Sequence, residues 1–179
     1  MKKLLTITIL VLALVFTTQS MAQEFSGLDK SPMDAAAFPS TYKVSDKAVR
    51  IIYSRPQLKG RSMAELAKPG EVWRTGANEA PEITFYKDVN FGGKDIKAGT
   101  YSLFTIPGEK EWTVILNKNL NQWGSYTYDE SADVARVSVP NGSDATSLEE
   151  FSIAFKEVDN GAHMVMGWDK TRVAVPITM

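Results

Sequence analysis

The fold is decided by the segment TYSLFTIPGEKEWTVIL, residues 100–116. Thr100–Ile106 and Trp112–Leu116 are rich in β-branched and aromatic residues, which favour extended strands. Between them, Pro107-Gly108-Glu109-Lys110 is a turn signal, so the segment predicts a β-hairpin with one apolar face. The residues predicted to enter the core are Tyr101, Leu103, Trp112 and Val114.

Similar short runs occur on both sides of this hairpin. Val49–Tyr53, Ile83–Tyr86 and Phe151–Phe155 are examples, and turn signals separate such runs at intervals of about 8–12 residues. This spacing is typical of all-β sandwiches and barrels. We therefore predict an all-β protein, a single antiparallel β-sandwich of jelly-roll or immunoglobulin-like type with about nine strands.

Glycine and proline predict two further turns. Gly92-Gly93 is predicted to join Ile83–Tyr86 to Lys94–Lys97 as a hairpin, because glycine accepts the backbone angles of a tight turn. Val134–Val139 is predicted to end at Pro140 and to turn at Asn141-Gly142, because proline cannot donate a hydrogen bond to a neighbouring strand.

One short helix is predicted near residues 62–67. Ser62 can cap its N-terminus, and Glu65 stands three residues later, where a capping-box carboxylate reaches back to the cap. Pro69-Gly70 then ends the helix.

The N-terminus has the features of a cleaved signal peptide. Lysines at positions 2 and 3 precede the apolar run Leu4–Phe16, and Ser20-Met21-Ala22 is a small-x-small cleavage pattern. The run of about 13 residues is shorter than the roughly 20 that a membrane-spanning helix needs. We predict cleavage after residue 22, export to the periplasm or out of the cell, and no transmembrane segment in a mature chain that begins at Gln23.

After the signal peptide at residues 1–22, the chain divides into two parts. Residues 23–40 include Pro32 and Pro39 and show no sustained hydrophobic period, so we predict an extended N-terminal lead. Residues 41–179 are predicted to form the single β-sandwich domain.

Charge argues against a nucleic-acid partner. Of the 20 lysines and arginines, two lie in the predicted signal peptide, so the mature chain has 18 basic and 21 acidic residues and a net charge of −3. Neither sign forms a long run. Nucleic-acid binding depends on clustered positive charge that neutralises phosphates, and this composition disfavours it.

The residue types exclude several kinds of chemistry. The chain has no cysteine, so it has no disulfides, thiolate nucleophiles, zinc–sulfur sites or iron–sulfur clusters. His163 is the only histidine, which excludes a zinc site with two histidines from one chain, and its position predicts a solvent-facing strand residue rather than a base. Asp129, Glu130 and Asp133 gather three carboxylates, but such clusters are usually solvated loops. We predict no metal and no cofactor.

The densest group of polar residues is Trp73-Arg74-Thr75-Gly76-Ala77-Asn78-Glu79. Arg74 could clamp an anionic group or vicinal hydroxyls through its planar guanidinium, Trp73 could stack on a sugar face, and Asn78 could donate or accept a hydrogen bond. The alternative is structural: Arg74 and Glu79 form a partly buried pair that fixes the loop.

A second candidate is the loop Asn117–Gly124, which combines amides with the indole ring of Trp123. Amides next to exposed aromatic rings suit sugars, which present hydroxyls at their edges and C–H groups on their faces. Asparagines also favour turns because their side chains bond to their own backbone, and this alternative stays open.

Four segments of the chain resemble one known bacterial family. They are Tyr53–Pro56 (YSRP), Val72–Glu79 (VWRTGANE), Ala98–Gly108 (AGTYSLFTIPG) and Asn121–Gly124 (NQWG), and together they resemble the domain of unknown function 2911. The resemblance runs from about Ser31 through residues 168–173. It implies an exported protein and no established activity.

The resemblance names Arg55, Arg74, Asn78 and Glu79 as motif residues without assigning them a role. With Trp73 and Trp123 they form our candidate ligand-binding set. The first functional hypothesis is non-enzymatic binding of a small polar or glycan-like ligand, or of a protein partner. The alternatives are a carboxylate-dependent hydrolase, with Glu79 as the leading acid or base, and a purely structural envelope module.

Overall fold

The computed structural model describes residues 23–179. The predicted signal peptide, residues 1–22, lies outside the described residues, and so does its predicted effect on where the protein goes.

Strands make up most of the described chain, and all of their pairings are antiparallel. Their order in the sheet is β1-β2-β3-β6-β7-β8-β9-β4-β5, so the all-β prediction with nine strands is confirmed. The strands are β1 (Met33–Phe38), β2 (Val49–Ser54), β3 (Glu82–Phe85), β4 (Val89–Phe91), β5 (Lys94–Ile96), β6 (Gly99–Ile106), β7 (Glu111–Asn117), β8 (Asp133–Val158) and β9 (Gly161–Thr178).

The two layers expected of a sandwich are the two halves of one continuous open sheet. The long strand β8 belongs to both halves, because its first part pairs with β7 up to Pro140 and its remainder pairs with β9 from Asn141. The halves face each other: the hydroxyl of Tyr53 in β2 donates to the carbonyl oxygen of Ile153 in β8 at 3.3 Å. The core lies between these two faces.

The hairpin that decides the fold is confirmed as β6 and β7, which pair from Ser102 with Asn117 to Ile106 with Thr113. Leu103, Trp112 and Val114 are buried, and Tyr101 is half-buried and packs against the same core.

The turn predicted at Asn141-Gly142 is wrong, because β8 continues through Pro140 without a break. Pro140 is opposite Glu111, the first residue of β7, and the next amide, that of Asn141, donates to the carbonyl of Lys110 at 2.9 Å. A proline is tolerated at this point because one partner strand ends here and another begins.

The Gly92-Gly93 turn is present, but it joins β4 to β5. The predicted pairing of Ile83–Tyr86 with Lys94–Lys97 is wrong, since β3 lies between β2 and β6. Alternation shows which residues form a strand but does not name the partner, and β3 finds its partners far away in the sequence.

Among residues 23–179, helical structure is confined to two short pieces. The helix α1 (Met63–Leu66) begins after Ser62, whose amide donates to the carboxylate of Glu65 at 2.7 Å, as the capping box predicts. A 3₁₀ turn, Glu130–Ala132, precedes β8. Within residues 23–179, no helix has the length and apolar composition needed to cross a membrane.

Part of the predicted N-terminal lead is an edge strand. β1 lies within residues 23–40 and pairs along its whole length with β2, from Met33 with Ser54 to Phe38 with Val49. Its small side chains, such as Ala35 and Ala36, give little hydrophobic periodicity, which explains why the pattern did not indicate a strand.

Candidate functional site

The four motif segments converge on one loop, residues 73–80, which we call the motif loop. Its first residue, Trp73, exchanges backbone hydrogen bonds of 2.7 and 2.9 Å with Thr105 in β6. The hydroxyl of Thr75 donates to the Thr105 hydroxyl at 3.1 Å. Gly76 lies against the backbone of Ser54, whose carbonyl oxygen would be 3.1 Å from a Cβ at this position. Segments far apart in sequence therefore fix the shape of the loop.

The far end of the motif loop is joined to the NQWG segment. The amide of Gly124 donates to the Asn78 carbonyl at 2.8 Å, and the amide of Ala80 donates to the Gln122 carbonyl at 2.8 Å. Asn78 itself has a φ of 60°, a left-handed conformation that asparagine tolerates better than most residues. The loop is thus held at both ends by backbone hydrogen bonds.

Trp73 is a core residue and not an exposed platform. Its side chain is buried, with 6% of the residue exposed, and its ring stacks on Trp168 at a centroid distance of 5.5 Å. Trp112 and Phe151 meet the same ring edge-on at 6.2 and 5.2 Å. No face of this indole is left for a sugar.

Arg55 is engaged by the protein itself. Its Nη1 forms an ion pair with Asp34 at 3.2 Å, Nη2 donates to the Ser152 hydroxyl at 2.7 Å, and Nε donates to the Phe151 carbonyl at 3.1 Å. The guanidinium therefore ties β1 and β2 to the opposite half of the sheet, and we assign it a structural role.

Arg74 differs from Arg55 in having no such partners. It is half-buried, and its Nε is fully buried without any hydrogen-bond partner. Within residues 23–179, no carboxylate lies within 4.0 Å of its guanidinium, so the predicted Arg74–Glu79 pair is not formed. Burial lowers the pKa of Arg74, and the nearby phenol of Tyr126 acts in the opposite direction. Nothing in the described chain neutralises this charge.

Arg74 and Asn78 line a cleft of about 480 Å³, which we call the cationic cleft. Four positively charged residues line it, and no acidic residue of the described chain does. Its walls come from the N-terminal segment, the loop after β2, α1 and the motif loop. The lining residues are Lys30, Ser31, Pro56, Gln57, Lys59, Arg61, Leu66, Arg74, Ala77 and Asn78.

The carboxylates around the cationic cleft are occupied by hydrogen bonds of their own. Asp29 accepts from the Ser31 amide at 2.6 Å, and this bond, followed by one from the Asn78 side chain, lowers the pKa of Asp29. Glu149 accepts from the amide of Lys59 at 2.6 Å. Neither carboxylate forms an ion pair within 4.0 Å with a cation of the cleft, although Asp29 is close enough to Lys30 for their charges to interact.

The structure separates Glu79 from Arg74. Glu79 is exposed and lines a different cleft of about 200 Å³, together with Glu82, Asn121 and apolar residues of β1 and β2. The carboxylate of Glu82 accepts from the amide of Asn121 at 2.9 Å, which holds one wall of this cleft. Arg74 and Asn78 therefore line one cleft and Glu79 lines another, whereas Trp73 lies in the core and Arg55 joins the two halves of the sheet.

Trp123 is exposed beside the motif loop, at 61% of its surface, and pairs with Glu79 through an isolated antiparallel bridge. Tyr126, three residues later, is 84% exposed. Two exposed aromatic rings therefore lie on the loop that borders the motif loop.

The acidic group near residue 130 serves the fold. Asp133 accepts from Tyr128, Arg136 and Asn117 at 2.6–2.8 Å, and Asp129 caps the 3₁₀ turn by accepting from the amide of Ser131 at 2.9 Å. Burial first, and the bond to Asp133 second, raise the pKa of the Tyr128 hydroxyl above its ordinary value. In the described part of the chain, no cluster of metal-ligating side chains is present.

Sequence reasoning missed Lys30, Lys59 and Arg61, which complete the cationic cleft. Lys59-Gly60-Arg61 directly follows the YSRP segment, and two cations this close to a motif were the available signal. Lys30 had no such signal, because only the fold brings the N-terminal segment to this place.

Comparison with known proteins gives a family and nothing more specific. The profile of a family described as "Protein of unknown function (DUF2911)" matches residues 31–177. No curated protein matches the chain, and no solved structure does. The matched region spans β1 to β9 and includes the motif loop, so the chain belongs to the DUF2911 family.

Proposed function

We propose that this protein is an exported, non-enzymatic binding module that takes a small polar, glycan-like ligand in the cationic cleft. The observation that supports the proposal most directly is Arg74, whose buried Nε has no partner. A buried donor without a hydrogen bond costs free energy, so its persistence needs an explanation. Arg74 also lines the cationic cleft, and a ligand that accepts from its guanidinium would offset the cost of burying this charge.

The contrast with three of the other arginines supports the same interpretation. Arg55, Arg136 and Arg172 each form an ion pair with a carboxylate and also donate to other protein groups. These side chains serve the fold. Arg74 is fixed on a loop held at both ends, yet its charged group faces a cleft rather than an acid. Such preorganisation is what a binding site requires.

The chemistry of the cleft favours binding over catalysis. Its lining residues include cations, an amide pair and one hydroxyl, Ser31, but no carboxylate or imidazole. Proton transfer in hydrolysis usually needs a group of that kind within hydrogen-bond reach of the substrate. Glu79, the leading candidate for such a group, lies in the other cleft.

The first prediction concerns Arg74→Met, which keeps the length of the side chain and removes its charge. A ligand at about 100 times its dissociation constant adds about 2.7 kcal/mol to the free energy of unfolding, which raises the midpoint by roughly 5–10 °C in a domain of this size. We expect a thermal-shift screen of residues 23–179 against neutral and charged glycans and carboxylates to find such a ligand. The shift should disappear in Arg74→Met.

The matched control is Arg50→Met, at an exposed arginine of β2 outside the cleft, which should keep the full shift. Without ligand, Arg74→Met should unfold at the wild-type temperature or above it, because it removes an unpaired, half-buried charge. A loss of about 3–5 kcal/mol would instead indicate a broken buried pair, and it would contradict the proposal. A ligand shift that survives in Arg74→Met would do the same.

Export is the second part of the proposal, and the N-terminal sequence supports it. The basic residues, the short apolar run and Ser20-Met21-Ala22 have the order that signal peptidase substrates share. When the full chain is expressed in a Gram-negative host, we expect mass spectrometry of the periplasmic fraction to find a chain that begins at Gln23. Recovery of only the uncleaved chain, in the cytoplasmic fraction, would refute this prediction.

A further inference from the structure

We infer that the ligand of the cationic cleft carries at least two negative charges on phosphate or sulfate groups attached to a small molecule. The inference rests on the proposed binding function and specifies its chemistry. The cations of the cleft support it through their number, their positions and their unused hydrogen-bond donors.

Four cations from separate parts of the chain meet in this cleft. Lys30 comes from the N-terminal segment, Lys59 and Arg61 from the loop between β2 and α1, and Arg74 from the motif loop. Within the described chain, none of the four has a carboxylate within 4.0 Å. Like charges repel, so gathering four of them around one cleft costs free energy. Asp29 and Glu65 lie near enough to Lys30 and Arg61 to offset part of this charge. No carboxylate of the described residues acts on Arg74. A bound anion would compensate the remainder, and a neutral sugar would not.

Arg61 and Arg74 are suited to bind a group that has several oxygen acceptors. Arg61 is anchored because its Nε and Nη2 donate to the carbonyls of Leu58 and Gln57 at 3.0 Å each. Among the described residues, no hydrogen bond or ion pair is formed by its Nη1. The buried Nε of Arg74 has no hydrogen-bond partner among residues 23–179. Guanidinium groups bind phosphate and sulfate through paired donors, whereas lysines add charge at a point.

The size of the cleft suits a small molecule. At about 480 Å³ it is within the range of ordinary small-ligand sites, roughly 300–1,000 Å³. The mature chain has a net negative charge, so a polyanion would meet repulsion outside the cleft. A compact dianion or trianion fits the volume of the cleft and does not extend beyond it over the rest of this negatively charged protein.

The test is calorimetric titration of residues 23–179 with three probes: inorganic pyrophosphate, a trisulfated heparin-type disaccharide, and the same disaccharide without sulfate. We expect binding of at least one anionic probe and none of the unsulfated disaccharide. Pyrophosphate alone would identify phosphate as the preferred group, and the sulfated disaccharide alone would identify sulfate.

The variants locate this binding in the cleft. Arg74→Met should weaken the dissociation constant about 10- to 100-fold, the range expected when one hydrogen-bonded charge is lost. Lys59→Met should weaken it by a smaller factor, and Arg50→Met should leave it unchanged. Affinity should also fall as salt is raised, because the contacts are between charges.

Three outcomes would overturn the inference, and they differ in what they say about the proposed function. Binding of the unsulfated disaccharide alone, lost in Arg74→Met, would leave the binding module intact and show a neutral ligand. Anion binding that is unchanged in Arg74→Met and Lys59→Met would place the anion elsewhere on the surface. A lack of binding by all three probes would refute the anionic class, and a flat thermal-shift screen besides would refute the binding function as well.

Discussion

Replacement of Trp73 by alanine is expected to lower the free energy of unfolding by about 3–5 kcal/mol, the range for truncation of a buried tryptophan. The ring is buried and touches Trp112, Phe151 and Trp168, so its loss leaves a cavity where the two halves of the sheet meet. In a domain of this size, that loss lowers the unfolding midpoint by roughly 6–20 °C. Thermal unfolding followed by circular dichroism measures it.

Trp123→Ala is the matched control, because it removes the same side chain from an exposed loop. It should change the midpoint by less than a degree or two, since exposed substitutions usually alter stability by no more than about 0.5 kcal/mol. The interpretation of Trp73 as a core residue is wrong if the two variants melt alike. A Trp73→Ala protein that keeps its stability but loses ligand binding would return Trp73 to the candidate site.

The sequence predicted the local structure well and the long-range structure less well. The β6–β7 hairpin and the capping box of α1 were predictable because each depends on residues close together in the chain. The course of β8 through Pro140 was not, because it depends on β9, which replaces β7 as a partner at that residue. Strand pairing is a property of the whole sheet, and a local pattern does not contain it.

The candidate site shows the same limit at the level of single residues. The motif segments include Arg55, Arg74 and Trp73. Their sequence does not show that Arg55 joins the two halves of the sheet, that Arg74 is an unpaired cation, or that Trp73 is a core residue. Those roles depend on what each side chain meets: Asp34 and Ser152 for Arg55, and an open cleft for Arg74. The chemistry that each side chain could perform was predictable from its residue type. Whether the side chain is free to bind a ligand depends on the fold.

The second large effect is expected for Arg55→Ala, which removes three contacts between distant segments. Hydrogen bonds to charged groups contribute about 1.5–3 kcal/mol, and 32% of this side chain is exposed, so solvent screens part of the ion pair with Asp34. We expect a loss of about 2–3 kcal/mol in the free energy of unfolding. Hydrogen exchange should accelerate most in β1, which Arg55 holds through Asp34.

Arg50→Ala, on the exposed face of β2, is the control and should leave both the midpoint and the exchange of β1 unchanged. Arg55→Lys should recover only part of the stability, because an ammonium group cannot reach Asp34, Ser152 and the Phe151 carbonyl at once in the geometry of a guanidinium. The outcome that would reverse our assignment is an Arg55→Ala protein with wild-type stability and no ligand binding. In that case Arg55 acts with Arg74 on the ligand, and the clamp between the two halves of the sheet lies elsewhere.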